Sequence, residues 1–277
     1  MARVGQILIN EGWLVLAALI GAGIGLLLQR WLRDPAAGRK SGLKLFSDIM
    51  TYVSTIFGIM LGLMLLFTVQ HFTSTASHVR DEARAISDIF ESVQSFPAEV
   101  RAPVERDAVC LMRSIATDSW AAAERADLSG DMNTTSWWNR IRGDVGALPA
   151  VRPIDEGSQA VALNAITEGI NAGQTRLLSA PSTLPGVVWF VIDLGMGIFA
   201  ALIFLSFPGR PRTAVVGLGL ALVLTMGVVF SLGVFAEPFT DLGVSVKPTA
   251  IQGTMMRLES AYPGTEWRPC ERLAPAD

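Results

Sequence analysis

Residues 49–70 have the sequence IMTYVSTIFGIMLGLMLLFTVQ, and none of these 22 residues is Asp, Glu, Lys or Arg. A helix needs about 20 apolar residues to cross the hydrocarbon core of a bilayer. Residues 12–28 and 213–236 are equally free of charge, and residues 186–207 contain a single charged residue, Asp193. The pattern predicts an all-α, polytopic membrane protein with four transmembrane helices.

The composition indicates the same class. Hydrophobic residues make up 51% of the 277 residues and charged residues only 17%, whereas a soluble domain carries roughly 25% charged residues. The net charge of −3 argues against a nucleic-acid-binding protein, which would present a basic face. Two cysteines and two histidines are too few to suggest a metal site. The sequence contains no Gly-x-Ser-x-Gly, P-loop or dinucleotide-binding motif, so neither an enzyme nor a cofactor is predicted.

The segment between the second and third apolar stretches is polar. Residues 73–185 contain ten arginines and fifteen acidic residues. Apolar residues recur there every three or four positions, which predicts amphipathic helices; examples are Val79, Ala83, Ile86 and Phe90. The polar positions between them are interpreted as a solvated helix face, and they include His78 and the run Arg80-Asp81-Glu82.

Four segments are therefore predicted. Residues 1–72 hold transmembrane helices one and two, and residues 73–185 form a helical extramembrane domain inserted between helices two and three. Residues 186–236 hold transmembrane helices three and four, and residues 237–277 form a C-terminal tail. Glu11 lies where a signal peptide would be basic, which favours a retained first helix.

Basic residues predict the orientation. The two short connectors on one side of a four-helix topology carry seven: Arg30, Arg33, Arg39, Lys40, Lys44, Arg210 and Arg212. The other membrane flanks carry five: Arg3, Arg80, Arg84, Arg176 and Lys247. Cytoplasmic loops are enriched in Lys and Arg. The short connectors are therefore expected in the cytoplasm, with the helical domain and both termini outside.

Two faces of the second transmembrane helix are candidate functional surfaces. Ser54, Gly58 and Gly62 follow a four-residue spacing that lets helices approach closely, either within one subunit or between subunits around a central pore. The opposite stripe can line a pore and gate it by dewetting, or it can face lipid or the core. Its members are Ile56, Met60, Met64 and Phe67.

Three ionisable residues are candidates within or near the membrane. Asp193 lies about 10 Å along the third transmembrane helix, where a carboxylate needs water, a partner or a proton. His71 and Glu237 lie at the outer ends of helices two and four. A His–carboxylate pair there would sense pH. The competing interpretation for Asp193 is a structural role.

The sequence leaves three alternatives open for the state of Cys110 and Cys270. With the helical domain and tail outside, the two cysteines can form a disulfide in an oxidising compartment. Cys110 can instead be a buried free thiol, because it lies near an apolar helix face. A reactive exposed thiol is the third alternative.

Several local sequences resemble those of the bestrophin-like family of bacteria and plants, a family of unknown function. They are Phe57-Gly58-Ile59-Met60-Leu61-Gly62 leading to Gln70-His71-Phe72, then Asp81-Glu82-Ala83, Leu184-Pro185 before Val188-Trp189, and Glu237-Pro238-Phe239 followed by Leu242-Gly243-Val244. The resemblance covers nearly the whole chain. It implies a multi-pass protein of the bacterial inner membrane, remotely similar to bestrophin anion channels.

The resemblance to bestrophins implies a homo-oligomer, with five subunits favoured, whose second transmembrane helix lines a pore for small inorganic ions. Bestrophins also have a Pro-Phe pair that leads into an acidic calcium site and a helical region inside the cell. Here one or two carboxylates near Pro238-Phe239 are too few for calcium, which takes six to eight oxygen ligands. The charge distribution also predicts the opposite orientation.

Two functions follow. The first is an oligomeric anion channel in the lipid bilayer. The second is a non-conducting membrane sensor or scaffold whose helical domain binds a partner. The absence of a basic ring in any apolar stretch favours the second, and the small-residue stripe of helix two favours the first.

Overall fold

The computed structural model describes residues 2–31, 39–127, 131–181, 184–207, 210–241, 243–265 and 270. Throughout these ranges the regular secondary structure is helical, as predicted. The α-helices are α1 (Ala2–Trp31), α2 (Arg39–Ser92), α3 (Ala98–Ser114), α4 (Trp120–Arg125), α5 (Met132–Gly146), α6 (Pro153–Leu178), α7 (Gly186–Ser206), α8 (Pro211–Ala236) and α9 (Thr249–Ala261). A 3₁₀ turn (Val93–Ser95) follows α2, and a π-helical turn (Ile115–Ser119) joins α3 to α4.

Four helical segments are long and apolar enough to cross a membrane: Glu11–Trp31, Asp48–Ser95, Gly186–Ser206 and Arg212–Ala236. They include the four apolar stretches of the sequence except for Phe207. Helix α2 continues without interruption from the second apolar stretch into the polar segment, up to Ser92. The sequence between Gln70 and Val79 contains no Pro or Gly that would end the helix there.

The chain forms two compact units. The first comprises Met1–His71 and Ser182–Glu237, and the second comprises Phe72–Pro181 and Pro238–Asp277. Helix α2 contributes to both. The C-terminal residues from Pro238 onward belong to the second unit, together with the helices between the second and third apolar stretches.

Small residues bring α1 and α7 together in the first unit. A Cβ atom built on Gly25 would lie 2.6 Å from the carbonyl oxygen of Ala201, and one built on Gly21 would collide with the backbone of Gly197. From the contact of Gly21 with Gly197 to the contact of Gly25 with Ala201, the residue number rises by four on both helices. Helices α1 and α7 therefore run parallel. Close backbone approach through small residues is the usual way that membrane helices pack. This contact was not among the sequence predictions, which assigned small-residue packing to α2.

The second unit has a continuous apolar core. The C-terminal part of α2 contributes Ile86 and Phe90, and the opposing helices contribute Leu111, Ile141 and Ile166, all fully buried. Trp137 and Trp138 are also buried in this cluster. Helix α9 joins the core through Ile251 and Leu258, and the Tyr262 ring lies 5.0 Å from the Phe90 ring. The C-terminal segment is therefore an integral part of this unit.

Two alanine substitutions on α1 test the close contact with α7. In Gly25→Ala the new methyl group lies 2.6 Å from a backbone oxygen, whereas in Gly23→Ala it meets nothing within 4 Å. We expect Gly25→Ala to cost about 1–3 kcal/mol through overpacking. Gly23→Ala should be neutral or stabilising by about 0.5–1 kcal/mol, because alanine loses less backbone entropy. Thermal unfolding in detergent, followed by circular dichroism, measures both, and equal melting temperatures would contradict the packing.

Candidate functional site

In the first unit, α2 has one packed face and one open face. Leu61 is buried in the core, and the Phe57 ring contacts α7 at Gly195. The other face exposes large apolar side chains, namely Tyr52, Ile56, Ile59, Leu63, Leu66 and Phe67. Within the described part of the chain, these side chains are left uncovered.

Gly58 and Gly62 lie on the open face of α2. A Cβ atom built on either glycine would meet nothing within 4 Å. The described part of the chain therefore brings no other helix against this pair. A role for the pair in helix packing stays a prediction. Ser54 is half-buried, and its hydroxyl donates a hydrogen bond to the carbonyl oxygen of Thr51, 3.0 Å away in the same helix.

The four predicted pore-lining side chains do not share one environment. Ile56 is 49% exposed and Phe67 is 64% exposed. Met60 is half-buried, and Met64 packs against the apolar core of its own unit. The exposed face of α2 thus includes Ile56 and Phe67 but does not include Met64. Their role in a pore stays a prediction.

The ionisable candidates lie in the first unit. Asp193 is half-buried on α7, one helical turn before Gly197, which packs against α1. The first unit consists of two chain segments, and His71 and Glu237 are the last residues of these segments. Both residues are half-buried. A His–carboxylate pair remains a prediction.

Cys110 and Cys270 form a disulfide in the second unit, with Cα atoms 5.5 Å apart. Cys110 lies on α3 and is buried, whereas Cys270 is half-buried. The Arg113 guanidinium lies beside the bond, with Nη1 3.8 Å from the Cys270 sulfur. Three alternatives were open for the cysteines, and the structure contains the disulfide. The disulfide anchors the C-terminal segment to α3.

The second unit contains a buried ion pair that the sequence did not indicate. Arg176 on α6 and Glu82 on α2 are both 0% exposed. The Arg176 Nε atom donates to Glu82 Oε2 at 2.8 Å, and Nη2 donates to the Ser119 hydroxyl at 2.7 Å. The interpretation of Glu82 as part of a solvated helix face is therefore wrong. Glu82 lies three residues after Val79 and four before Ile86, on the apolar side of α2.

Local backbone features make room for this pair. The π-helical turn that ends at Ser119 directs the serine hydroxyl toward Arg176, and π-helical turns often mark functional sites. Gly173 is needed beside Glu82, because a Cβ atom there would lie 2.6 Å from Glu82 Oε1. The Trp120 ring covers the guanidinium, with the Arg176 Cζ atom 5.3 Å from the ring centroid. Cation–π contacts of this kind are strongest where water is excluded.

A second carboxylate, Asp131, stands at the start of α5 near the ion pair. Burial raises the pKa of Asp131, against the opposing hydrogen bonds from the Thr134 and Ser119 hydroxyls. Burial also raises the pKa of Glu82 despite the attraction of Arg176, and the charge of Asp131 adds to the increase. Glu82 and Asp131 both line a cavity of about 210 Å³ between α2, α5 and α6.

A sequence model of the Bestrophin-like domain matches residues 15–251. The chain belongs to the bestrophin-like family. This bestrophin-like chain also matches two crystal structures of a bacterial bestrophin homologue from Klebsiella pneumoniae, each with one substitution, at TM-score 0.62 and 12% identity. The matches cover 93% and 96% of this chain and 98% and 100% of the homologue. At this identity they establish a shared fold. No curated protein sequence matches the chain significantly.

Sequence reasoning missed Arg176 for a physical reason. It was counted as a basic residue near a membrane flank, and its partner Glu82 is 94 residues away in the chain. Only the packing of α6 against α2 shows that the two charges meet. The one available signal was the position of Glu82 within the apolar periodicity of α2.

Removal of Arg176 should strongly destabilise the second unit. Arg176→Ala leaves the Glu82 carboxylate buried without its cation, which costs about 3–5 kcal/mol. The matched control is Arg84→Ala on α2, because Arg84 is exposed and lies 3.8 Å from the half-buried Asp88. We expect little change in the control. Thermal unfolding in detergent distinguishes the two, and a wild-type melting temperature for Arg176→Ala would contradict a structural role for the pair.

Proposed function

We propose that this bestrophin-like protein is an oligomeric ion channel of the bacterial inner membrane that conducts anions, with α2 lining the pore. Family membership supports a channel. The observation that carries the assignment to α2 is its open apolar face, which remains exposed while the opposite face packs into the first unit. A symmetric ring of subunits would place this face around a central axis.

Assembly into a homo-oligomer is part of the proposal. The unoccupied space beside Gly58 and Gly62 lets a helix of a neighbouring subunit approach α2 at backbone distance. A subunit count of five is favoured by the family resemblance alone. The other partner is the lipid bilayer, which would contact the exposed apolar side chains that a neighbouring subunit leaves uncovered.

The proposed gate consists of two rings of apolar side chains, one contributed by Ile56 and one by Phe67 about 16 Å further along α2, with Met60 between them. Such a constriction closes a pore by expelling water. Ile56 and Phe67 are exposed in the single chain and therefore available to line an axis. Met64 is less suited to this role, because it packs against the core of its own unit.

Ion flux tests the proposed gate. Ile56→Ser and Phe67→Ser should each raise flux several-fold in liposomes that contain the purified protein, because a hydroxyl wets the constriction. The control is Val223→Ser on α8, which is as exposed as Phe67 but lies on another helix; its flux should match the wild type. Unchanged flux in both α2 variants of a conducting protein would place the pore elsewhere.

The second candidate is a non-conducting membrane sensor or scaffold whose helical unit binds a partner. One observation favours it: residues 49–70 contain no Lys or Arg to attract anions. Absence of flux from the wild type and from every α2 variant would support this function over the channel.

We also propose that the second unit and both termini face the periplasm. The distribution of basic residues supports this orientation. The Cys110–Cys270 bridge gives independent support, because disulfides persist in oxidising compartments such as the periplasm and are rare in the cytosol. The parallel course of α1 and α7 fits the proposed four-span topology, in which transmembrane helices one and three cross in the same direction.

Cysteine labelling in intact cells tests the orientation. Cys270 should react with a membrane-impermeant maleimide only after an impermeant reductant opens the bridge. In Cys110→Ser the partner thiol is gone, so Cys270 should react without reductant. Labelling that requires cell lysis in both proteins would contradict the periplasmic orientation.

A further inference from the structure

Two carboxyl groups and one guanidinium meet where α3 packs against α5 in the second unit. The Asp107 side chain on α3 is 3% exposed, and its Oδ2 atom lies 2.8 Å from the Arg140 Nε atom on α5. Asp144 follows Arg140 by four residues, so both side chains lie on the same face of α5. The Asp144 carboxyl group forms a hydrogen bond with that of Asp107. One arginine therefore stands against two acidic groups.

Arg140 does not satisfy the buried carboxylate completely. Asp107 Oδ2 is buried and accepts no aligned hydrogen bond within the described part of the chain, although the Arg140 Nε atom is close to it. The Arg140 side chain is 50% exposed, and its Cζ atom lies 5.6 Å from the centroid of the Trp137 ring. Solvent screens a half-exposed cation, and a buried acceptor without a donor is costly. The site therefore favours a further hydrogen-bond donor.

A proton supplies that donor. An ionised carboxylate only accepts hydrogen bonds, so a hydrogen bond between two carboxyl groups requires that one of them is protonated. Two carboxyl groups that share a site titrate as a pair. The pKa of Asp107 is raised to about 6, first by burial and then by the hydrogen bond with Asp144, against the attraction of Arg140.

The other charged groups near α3 point to no second partner for Asp107. On α3 itself, Arg106 is exposed and Glu105 pairs with Arg101 at 3.0 Å. The charged groups described on the other elements that contact α3 are bound elsewhere or exposed, namely Asp118 with Asn133, Arg257 with Ser87, and the exposed Glu259. Within the described part of the chain, the charged partners of Asp107 are therefore the two groups on α5.

Neutral groups join α3 and α5 at another point. The hydroxyls of Ser114, at the end of α3, and Thr134, near the start of α5, are 2.8 Å apart. Asn133 Nδ2 donates to the Ser114 hydroxyl at 3.1 Å. Hydroxyl and amide groups do not titrate near neutral pH. A change of pH therefore acts on this helix contact at Asp107 and Asp144.

We propose that Asp107 and Asp144 share one proton and form a pH-sensitive contact between α3 and α5, which is closed in acid and loosens when the proton leaves near neutral pH. Without the proton, two carboxylates lie side by side against one solvent-screened guanidinium, and their repulsion favours separation. The inference concerns the second unit alone and does not depend on whether the protein conducts ions.

The direction of the pH dependence follows from the raised pKa of Asp107. Between its ordinary value of 3.8 and about 6, the folded state binds more protons than the unfolded chain. The stability that this pair contributes is therefore present in acid and is lost as the pH rises through about 6. Burial also raises the pKa of Glu82 and Asp131, so the test compares the wild type with variants that leave these two residues unchanged.

Amide hydrogen exchange of the full-length protein in detergent tests the loosening, since it reports local opening. After correction for the intrinsic pH dependence of exchange, the α5 amides of the wild type should lose protection between about pH 5 and about pH 7.5. Asp144→Asn should lose about tenfold less, because its amide donates to Asp107 without a titrating proton. Asp107→Asn removes the buried carboxylate and should likewise flatten the pH profile, which keeps the test decisive if one variant fails to fold.

A second measurement detects the proton itself. The infrared carbonyl band of a protonated carboxyl group should be present in the difference spectrum between wild type and Asp107→Asn, and it should disappear near pH 6. The control is Asp88→Asn, which removes a half-buried carboxylate of α2 that pairs with Arg84 away from this contact, and it should keep the wild-type profile. Equal loss of protection in wild type and both variants of the pair, or a difference spectrum without a titrating carboxyl band, would overturn the proposal.

Discussion

The hydrocarbon core of the membrane is the constraint on which the first unit depends. No water is present there to bond exposed peptide groups, so an apolar chain segment must satisfy its backbone hydrogen bonds internally, and a helix does so. The apolar stretches of this chain are helical accordingly. The hydrophobic effect does not drive such helices together in lipid, and their contact relies on close packing. Gly21 and Gly25 of α1 provide it by meeting the backbone of α7.

Different interactions stabilise the second unit. It has a conventional apolar core, and it also buries a complete ion pair in Glu82 and Arg176. A buried ion pair contributes little net stability, because desolvation offsets the attraction, but the loss of one partner is costly. A shift of α6 along α2 would separate the two groups at this cost, so the pair opposes such a shift. The disulfide between Cys110 and Cys270 adds a covalent constraint that holds the C-terminal segment to α3.

Membership of the bestrophin-like family does not transfer every family feature to this chain. The Pro238-Phe239 pair is present, but the Phe239 ring packs edge-on against Trp120 at 5.4 Å. Glu237 and Asp241 flank the pair and supply few oxygen ligands for calcium. The second unit instead buries several carboxylates, and one of them, Glu82, forms an ion pair with the fully buried Arg176.

The sequence by itself determined the helical class, the apolar segments and the family, because each rests on local properties: runs of uncharged residues, apolar periodicity and short sequence patterns. It also identified both cysteines without deciding between a bridge and a free thiol. Tertiary structure decided which small residues form close contacts, since Gly25 and Gly58 look alike in sequence and differ only in what lies beside them. It also decided that Glu82 is buried, because its cation stands 94 residues away and only folding brings the two charges together.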